Sequence, residues 1–325
     1  MYKIEYHTES LENYSFLITG GAGFIGSNLV EYLLLNKVKK VRVLDNLSTG
    51  FYENIKPFEH LPNFEFIEGD IRDFDTCKEA MKDIDYVSHQ AALGSVPRSI
   101  SDPVTSNQVN ISGFLNMITA LKDSGVKRMV YAASSSTYGD SKNLPKQEDI
   151  IGKPLSPYAI TKYVNELYAD VFGQIYDTDT IGLRYFNVFG PKQSPKGAYA
   201  AVIPLFIKAI QNGESPKING DGGQTRDFTF VENAVQANVR AFFADQSAKN
   251  QVFNIACGDR ISLNQLIENL QEISGATVSV IHGPERLGDI RDSLADISKA
   301  NRLLNYKPEF DVKKGLKVTW DYAKQ

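Results

Sequence analysis

Tyr158 and Lys162 stand four residues apart in Ser156-Pro157-Tyr158-Ala159-Ile160-Thr161-Lys162, and upstream of them Ser134, Ser135, Ser136 and Thr137 form a row of hydroxyls. Proline suits a helix's first turn, and positions i and i+4 of a helix share one face, so phenol and ammonium would stand side by side. A cation at that place lowers a phenol's pKa and makes it usable as a general base near neutrality. The hydroxyl row ends an apolar run, Arg128-Met129-Val130-Tyr131-Ala132-Ala133. Buried hydroxyls without partners are costly, so a serine cluster at the end of a buried strand implies a polar ligand that satisfies it. A Tyr-x-x-x-Lys spacing recurs by chance in many chains, and its weight here comes from the elements around it.

The element that positions a ligand is the stretch Phe16-Leu17-Ile18-Thr19-Gly20-Gly21-Ala22-Gly23-Phe24-Ile25-Gly26, which reads as strand, tight turn and helix start. Gly20, Gly23 and Gly26 allow positive φ, close approach of backbone to ligand and tight helix–strand packing, and the amides that open the helix at Phe24 and Ile25 suit a pyrophosphate. The spacing is Gly-x-x-Gly-x-x-Gly. The next strand, Lys40–Asp45, closes on an acid about twenty residues later, where a carboxylate accepts both ribose hydroxyls of an adenosine. Asn46-Leu47-Ser48-Thr49-Gly50 follows with no cation to meet a further phosphate, which indicates NAD. The positively charged nicotinamide would then join Lys162 in acidifying Tyr158.

Short apolar runs at 15–19, 40–45, 63–67, 84–89, 128–133 and 179–184 alternate with longer 3.6-periodic ones, the pattern of a Rossmann-type, doubly wound α/β parallel sheet. Ile111, Phe114, Leu115, Ile118 and Leu121 trace one helix face, and Val164, Leu167, Tyr168, Val171, Phe172 and Ile175 another; both read as core stripes. Ligands bind such sheets beyond the carboxyl ends of the strands. After the third strand come Gly69-Asp70-Ile71, where Asp70 and a neighbouring amide either read an adenine edge or form an ordinary turn. After the fourth come His89-Gln90-Ala91-Ala92, where small residues admit a cofactor and His89 reads as a hydrogen-bonded core residue.

Composition sets the outer limits. The chain has 325 residues, long enough for two linked units, with 42% hydrophobic and 23% charged residues and a net charge of −4, which gives no broad field for nucleic acid or anionic lipid. There is no run of membrane-span length and no signal-peptide pattern, and Cys77 and Cys257 have neither metal-ligand nor redox spacing, so a cytoplasmic protein without metal is expected. Residues 1–14 read as a polar surface arm without chemistry. The alternation breaks down after 184, which suggests an NAD-binding unit of residues 1–184 plus 225–250 and a smaller mixed α/β unit of 185–224 plus 251–325.

With these residues in view, the chain resembles the extended short-chain dehydrogenase/reductases that act on nucleotide sugars, from Phe16 to about Tyr322, and within them the bacterial UDP-N-acetylglucosamine 4-epimerases that prefer acetylated sugars. The segments that carry this are Gln90–Ile100, Ala132–Asp140, Leu155–Tyr158, Leu183–Gly190 and Gly197–Pro204. The resemblance implies NAD-dependent inversion of C4 of a UDP-hexose through a transient 4-ketone, with Ser134, Tyr158 and Lys162 catalytic. It adds Tyr185 and Val188 to the cofactor positions. It implies that Gly94, Ser95, Ser135, Asn187, Ala201, Val202, Asn219, Arg226, Arg286, Asp289 and Ser293 meet the UDP-sugar, the arginines at the diphosphate and Ser293 as a gate for the C2 substituent. It also implies a homodimer built on helices near 103–122 and 157–175. The readings beside it are a 4-epimerase of the corresponding uronic acids or of UDP-glucose, a dehydratase or decarboxylase, and a nucleotide-sugar sensor without catalysis. Dehydratase chemistry generally needs an acid among the residues occupied here by Ser135-Ser136-Thr137.

Overall fold

Runs such as Phe16-Leu17-Ile18 and Met129-Val130 are apolar on both strand faces, and such strands are stable only where helices cover the sheet twice. The computed structural model, which describes residues 1–196, 200–284 and 291–325, has that arrangement. Among the described residues the main sheet has seven parallel strands: β1 (Ser15–Thr19), β2 (Lys40–Asp45), β3 (Phe64–Glu68), β4 (Tyr86–His89), β5 (Arg128–Ser134), β6 (Thr180–Tyr185) and β7 (Gln251–Ile255). They lie in the order β7-β6-β5-β4-β1-β2-β3. The order reverses between β1 and β4, and a crevice opens there at the carboxyl ends. Helices α1 (Phe24–Leu35) and, much later in the chain, Val231–Phe242 cover one face, burying Leu29, Leu33, Val235 and Phe242 against Phe16 and Ile18. The other face carries α2 (Phe74–Ala80), then beyond α3 (Val96–Ser101) and α4 (Pro103–Asn107) the helices α5 (Gly113–Lys122) and α6 (Pro157–Tyr176), with Phe114, Met117, Ile118 and Ala169 against Leu17, Val87 and Met129.

The C-terminal part builds a smaller lobe. Helices α7 (Val202–Gln211), α9 (Leu263–Ser274) and α11 (Val312–Ala323) bury Phe206, Ile210, Leu266, Leu270, Leu316 and Trp320 around Phe189 and Phe230. Between α7 and α9 the chain returns to the sheet as α8 (the 231–242 helix already described), and between α9 and α11 as α10 (Ser298–Leu304), whose Ala300 and Leu304 join the sheet's core.

Three expectations change. Residues 251–255, grouped above with the second unit, form β7 at the sheet edge, paired with β6 from Gln251↔Ile181 to Ile255↔Tyr185. The arm of residues 1–14 is anchored in the core: Tyr2, Tyr6 and Leu11 are buried, Tyr6 stacks on Tyr32 at 5.6 Å, and Glu232 of α8 accepts from both the Tyr2 amide and the Tyr6 hydroxyl. Its aromatics alternate with charges, which hid the burial from a reading of polarity.

The third concerns α6, read as a core stripe. Leu167, Val171 and Ile175 are 49%, 45% and 65% exposed, while the buried face carries Thr161, Lys162, Asn165 and Glu166. Tyr168 and Phe172 of the expected stripe do pack on the sheet's core beside Ala169, so the stripe is split, with its other edge left outside.

Candidate active site

The turn after β1 forms a cradle with no room for side chains. Gly20 has φ +68°, and a Cβ there would lie 2.7 Å from the Ala91 amide nitrogen; at Gly26 it would lie 2.2 Å from the Gly20 carbonyl oxygen. Helix α1 starts from Gly23 with no side-chain cap, so its first amides are left to a ligand. Asp45, at the end of β2, holds its carboxylate beside this turn by accepting from the Ala22 amide at 3.0 Å and the Leu47 amide at 2.8 Å. Burial pushes its pKa up, against the pull of those two amides.

From here a cleft of about 520 Å³ runs along the strand ends. Its walls bring together Gly20, Gly23, Phe24, Ile25, Gly26, Asp45, Asn46, Ser48, Thr49, Gly50, Ile71, Gln90, Ala91, Ala92, Gly94, Ser134, Ser135, Tyr158, Lys162, Tyr185, Asn187 and Val188, all expected from sequence. Leu44, Gly69, Leu93, Val109, Ala132 and Ala133 also line it. These are small or apolar; Leu44, Gly69, Ala132 and Ala133 stand at strand ends, whereas Leu93 beyond β4 and Val109 in a helical turn carry no mark of their own. The fit to a dinucleotide rests on the cradle, the uncapped helix and the strand-end acid together.

At the far end of the cleft, α6 presents Tyr158 and Lys162 opposite Ser134. The helix starts cleanly: Ser156 caps the Ala159 amide at 3.1 Å, Pro157 has no amide to satisfy, and the Tyr158 amide donates to Ser99 Oγ at 3.0 Å. Lys162 Nζ donates to the Ala132 carbonyl at 2.8 Å, and burial brings its ammonium down to about 8, with Glu166 opposing. Burial pushes the Tyr158 phenol up, and a hydrogen bond with Ser134 offsets part of the rise. In the protein alone, then, burial outweighs the lowering expected from the lysine.

Two polar networks hold this end. Gln90 Nε2 lies 2.9 Å from Ser88 Oγ, 3.2 Å from the Tyr185 hydroxyl and 3.1 Å from Asn238 Oδ1, and Asn238 Nδ2 donates to the same Tyr185 hydroxyl at 2.7 Å. Burial takes the Tyr185 phenol up to about 12. Asn110 sits in a π-helical turn, Gln108–Ser112, and joins both carbonyl and amide of Leu93 to Thr161 Oγ1. The cleft wall is thereby tied to the helix that carries Tyr158. His89 accords with its reading as a core residue, its Nδ1 lying 2.7 Å from Thr19 Oγ1.

Other expected residues lie elsewhere. Asp70 is outside the cleft lining, its carboxylate taken by Arg72 in a bidentate pair and by Asn46, and the Arg72 hydrogen bonds take its pKa down to about 2. Ser95 caps α3 with φ +118°, its Oγ accepting from the Arg98 amide at 3.3 Å. Ala201 and Val202 open α7, and Asn219 ends a short strand, Lys217–Asn219. Arg226 donates to the Thr225 and Arg291 carbonyls, and the Ser293 amide donates to the Thr225 carbonyl at 3.2 Å, so both stand on one edge of the smaller lobe. None of these six lines the cleft as formed by the described residues. Arg286 and Asp289 lie outside the described residues.

Residues 16–256 match the NAD dependent epimerase/dehydratase family. The chain belongs to that family. Family membership, the cradle and Asp45 make NAD its cofactor. Among relatives in this family, a putative UDP-glucose 4-epimerase of Methanocaldococcus jannaschii is 38% identical over 308 residues, covering 94% of this chain and 97% of the relative. A UDP-glucuronate 4-epimerase of Thermodesulfobacterium geofontis is 35% identical, with 95% and 96% covered. The structure of UDP-N-acetylglucosamine 4-epimerase from Methanobrevibacter ruminantium M1 in complex with UDP-N-acetylmuramic acid superposes with a TM-score of 0.91 at 41% identity, covering 96% of this chain and 99% of that one. No helix among the described residues is long and apolar enough to cross a membrane.

Proposed function

We propose that this family member is a UDP-sugar 4-epimerase whose preferred substrates are UDP-N-acetylhexosamines. The observation that carries the reading is the convergence of Ser134, Tyr158 and Lys162 at the end of a dinucleotide cleft opposite the adenosine-binding Asp45. Bound in the cleft, NAD would supply the hydride acceptor and donor for C4 of the sugar. Tyr158, as phenolate, removes the O4 proton and later returns it, and Ser134 donates a hydrogen bond to O4. Lys162 would hold the ribose hydroxyls near the phenol, and its positive charge would favour the phenolate against the rise that burial imposes. Asp45 would hold the adenosine ribose, and Gln90, Tyr185 and Val188, which line the cleft, would contact the cofactor.

Inversion requires the ketone to present its other face while the nucleotide stays fixed. Arg226 and Arg286 at the diphosphate would give that anchor through bidentate guanidinium contacts, with Asp289 on the nucleoside ribose. Asn187, Ala201, Val202 and Asn219 would complete the UDP-sugar site. Gly94, Ser95, Ser135 and Ser293 are small enough to let an acetamido group sweep past. Hydroxyls at Ser135, Ser136 and Thr137, where dehydration would need an acid, support epimerisation over dehydration. A uronic acid substrate is the second reading, favoured by the likeness to a glucuronate epimerase. Incubating the protein separately with UDP-GlcNAc, its uronate and UDP-glucose tests the reading: the C4 epimer of UDP-GlcNAc should form fastest, and absence of any epimer refutes it.

A homodimer completes the proposal. Ile160, Leu167, Val171 and Ile175 on α6, with Ile100 on α3 and Val104 on α4, are exposed apolar residues on neighbouring helices, the place at which the resemblance implies a helical interface.

A further inference from the structure

Ser134 Oγ receives two hydrogen bonds, and both come from the same residue: the Ser136 amide at 3.2 Å and the Ser136 hydroxyl at 2.9 Å. A serine hydroxyl offers two lone pairs and one hydrogen. With both lone pairs engaged, Ser134 has only its hydrogen left for the cleft. We infer that Ser136 is a positioning residue that makes Ser134 an obligate donor toward the Tyr158 oxygen and the sugar O4.

The geometry gives this role firm support. Ser134 caps a single 3₁₀ turn, Ser135–Tyr138, from an extended conformation with φ −149° and ψ 142°. Thr137 and Tyr138 anchor the turn in the core, the Tyr138 hydroxyl donating to Asn254 Oδ1 at 2.6 Å. The Gly139 amide closes it on the Ser136 carbonyl at 3.1 Å, with Gly139 at φ +51°. Ser135 lines the cleft, whereas Ser136 stands half-buried behind Ser134.

The chemical consequence follows from the direction of one hydrogen bond. A donor beside a phenol favours the phenolate, whereas an acceptor favours the protonated form. Were Ser134 free to accept, the neutral Tyr158 would donate to it and be held in the form that cannot act as a base. Ser136 blocks that alternative. The hydrogen bond with Ser134 does act to lower the Tyr158 phenol against the rise from burial.

The inference rests on the epimerase reading, and the test separates the two. Wild type, Ser136→Ala and Ser136→Thr are compared in kcat and KM across pH for C4 epimerisation of UDP-GlcNAc. Ser136→Ala should lose about fivefold to tenfold in kcat at neutral pH, the weight of one hydrogen bond, with KM little changed. Its acid limb should move to higher pH, so that the deficit shrinks in alkaline solution, and Ser136→Thr should restore the wild-type profile.

A second readout needs no turnover. The phenolate absorbance of each NAD-loaded protein, taken as the difference from its Tyr158→Phe counterpart, gives the titration of Tyr158, which should move up in Ser136→Ala and not in Ser136→Thr. Superimposable titrations, or a loss equal at every pH, overturn the positioning role. A wild type that makes no epimer refutes the epimerase reading and leaves the absorbance titration to decide on Ser136.

Discussion

Arg184 on β6 meets Glu166 on α6 through two parallel hydrogen bonds, Nε to Oε1 at 2.9 Å and Nη2 to Oε2 at 2.7 Å, with both side chains buried. Glu166 lies one helical turn beyond Lys162, so the pair clamps the helix that carries the proposed base to the strand that ends at Tyr185. The guanidinium also donates to the Glu148 carbonyl and lies over the Tyr138 ring at 4.9 Å. Removing one partner leaves a buried charge uncompensated, which costs about 3–5 kcal/mol. Glu166→Gln should show that loss in urea unfolding together with reduced kcat. A change below about 1 kcal/mol, the range of exposed pairs, would mean that the clamp carries little load.

Stability should respond to acid through His89. Burial, with Lys162 adding to it, takes the imidazole down to about 3. Between the ordinary value near 6.5 and 3, the unfolded chain binds a proton that the folded one does not. Stability contributed above pH 6.5 is therefore lost as pH falls, at up to about 1.4 kcal/mol per unit. In His89→Gln that slope should be shallower by about this amount when unfolding is measured from pH 6 to pH 4. Parallel slopes for both proteins would show that His89 does not carry the proton difference.

The site was legible where its chemistry resides in adjacent residues. Gly20 through Gly26, Asp45, the serine row and Tyr158-x-x-x-Lys162 are local in sequence, and the alternation of strands and helices put each at a strand end or helix start. Residues whose partners are distant backbone atoms left no such mark: Ser99 acts on the Tyr158 amide and Asn110 on Leu93. Periodicity identified the apolar stripe of α6 but not that only its Tyr168 and Phe172 edge packs on the core, because much of the inward face is filled by Thr161, Lys162, Asn165 and Glu166. Asp70 shows the converse, a strand-end acid whose charge is satisfied by its own neighbour Arg72.

Selectivity for the C2 substituent should depend on Ser293. It stands beside Thr225 and Arg226 on the smaller lobe, in the segment that resembles the family's gate. Ser293→Tyr should suppress epimerisation of UDP-GlcNAc while sparing that of UDP-glucose, since overpacking penalises the bulkier sugar. The measurement is kcat/KM for both substrates in both proteins. An unchanged ratio would move the gate to Gly94, Ser95 and Ser135.

The outer face of α6 should hold the dimer. Leu167→Glu places a charge in the middle of the exposed apolar face and should convert a dimer to a monomer by light scattering, without loss of helical circular dichroism. A wild-type protein that is already monomeric at micromolar concentration, or a variant that stays dimeric, would remove α6 from the interface.

The central claim, that one hydrogen leaves C4 and returns to it within a single site, is tested most directly with UDP-GlcNAc deuterated at C4. After incubation with the NAD-loaded protein, mass spectrometry and NMR should find UDP-GalNAc that keeps the deuterium at C4, with no accumulation of reduced NAD in solution. A C4 epimer without the label, or a dehydrated product in its place, would contradict the account.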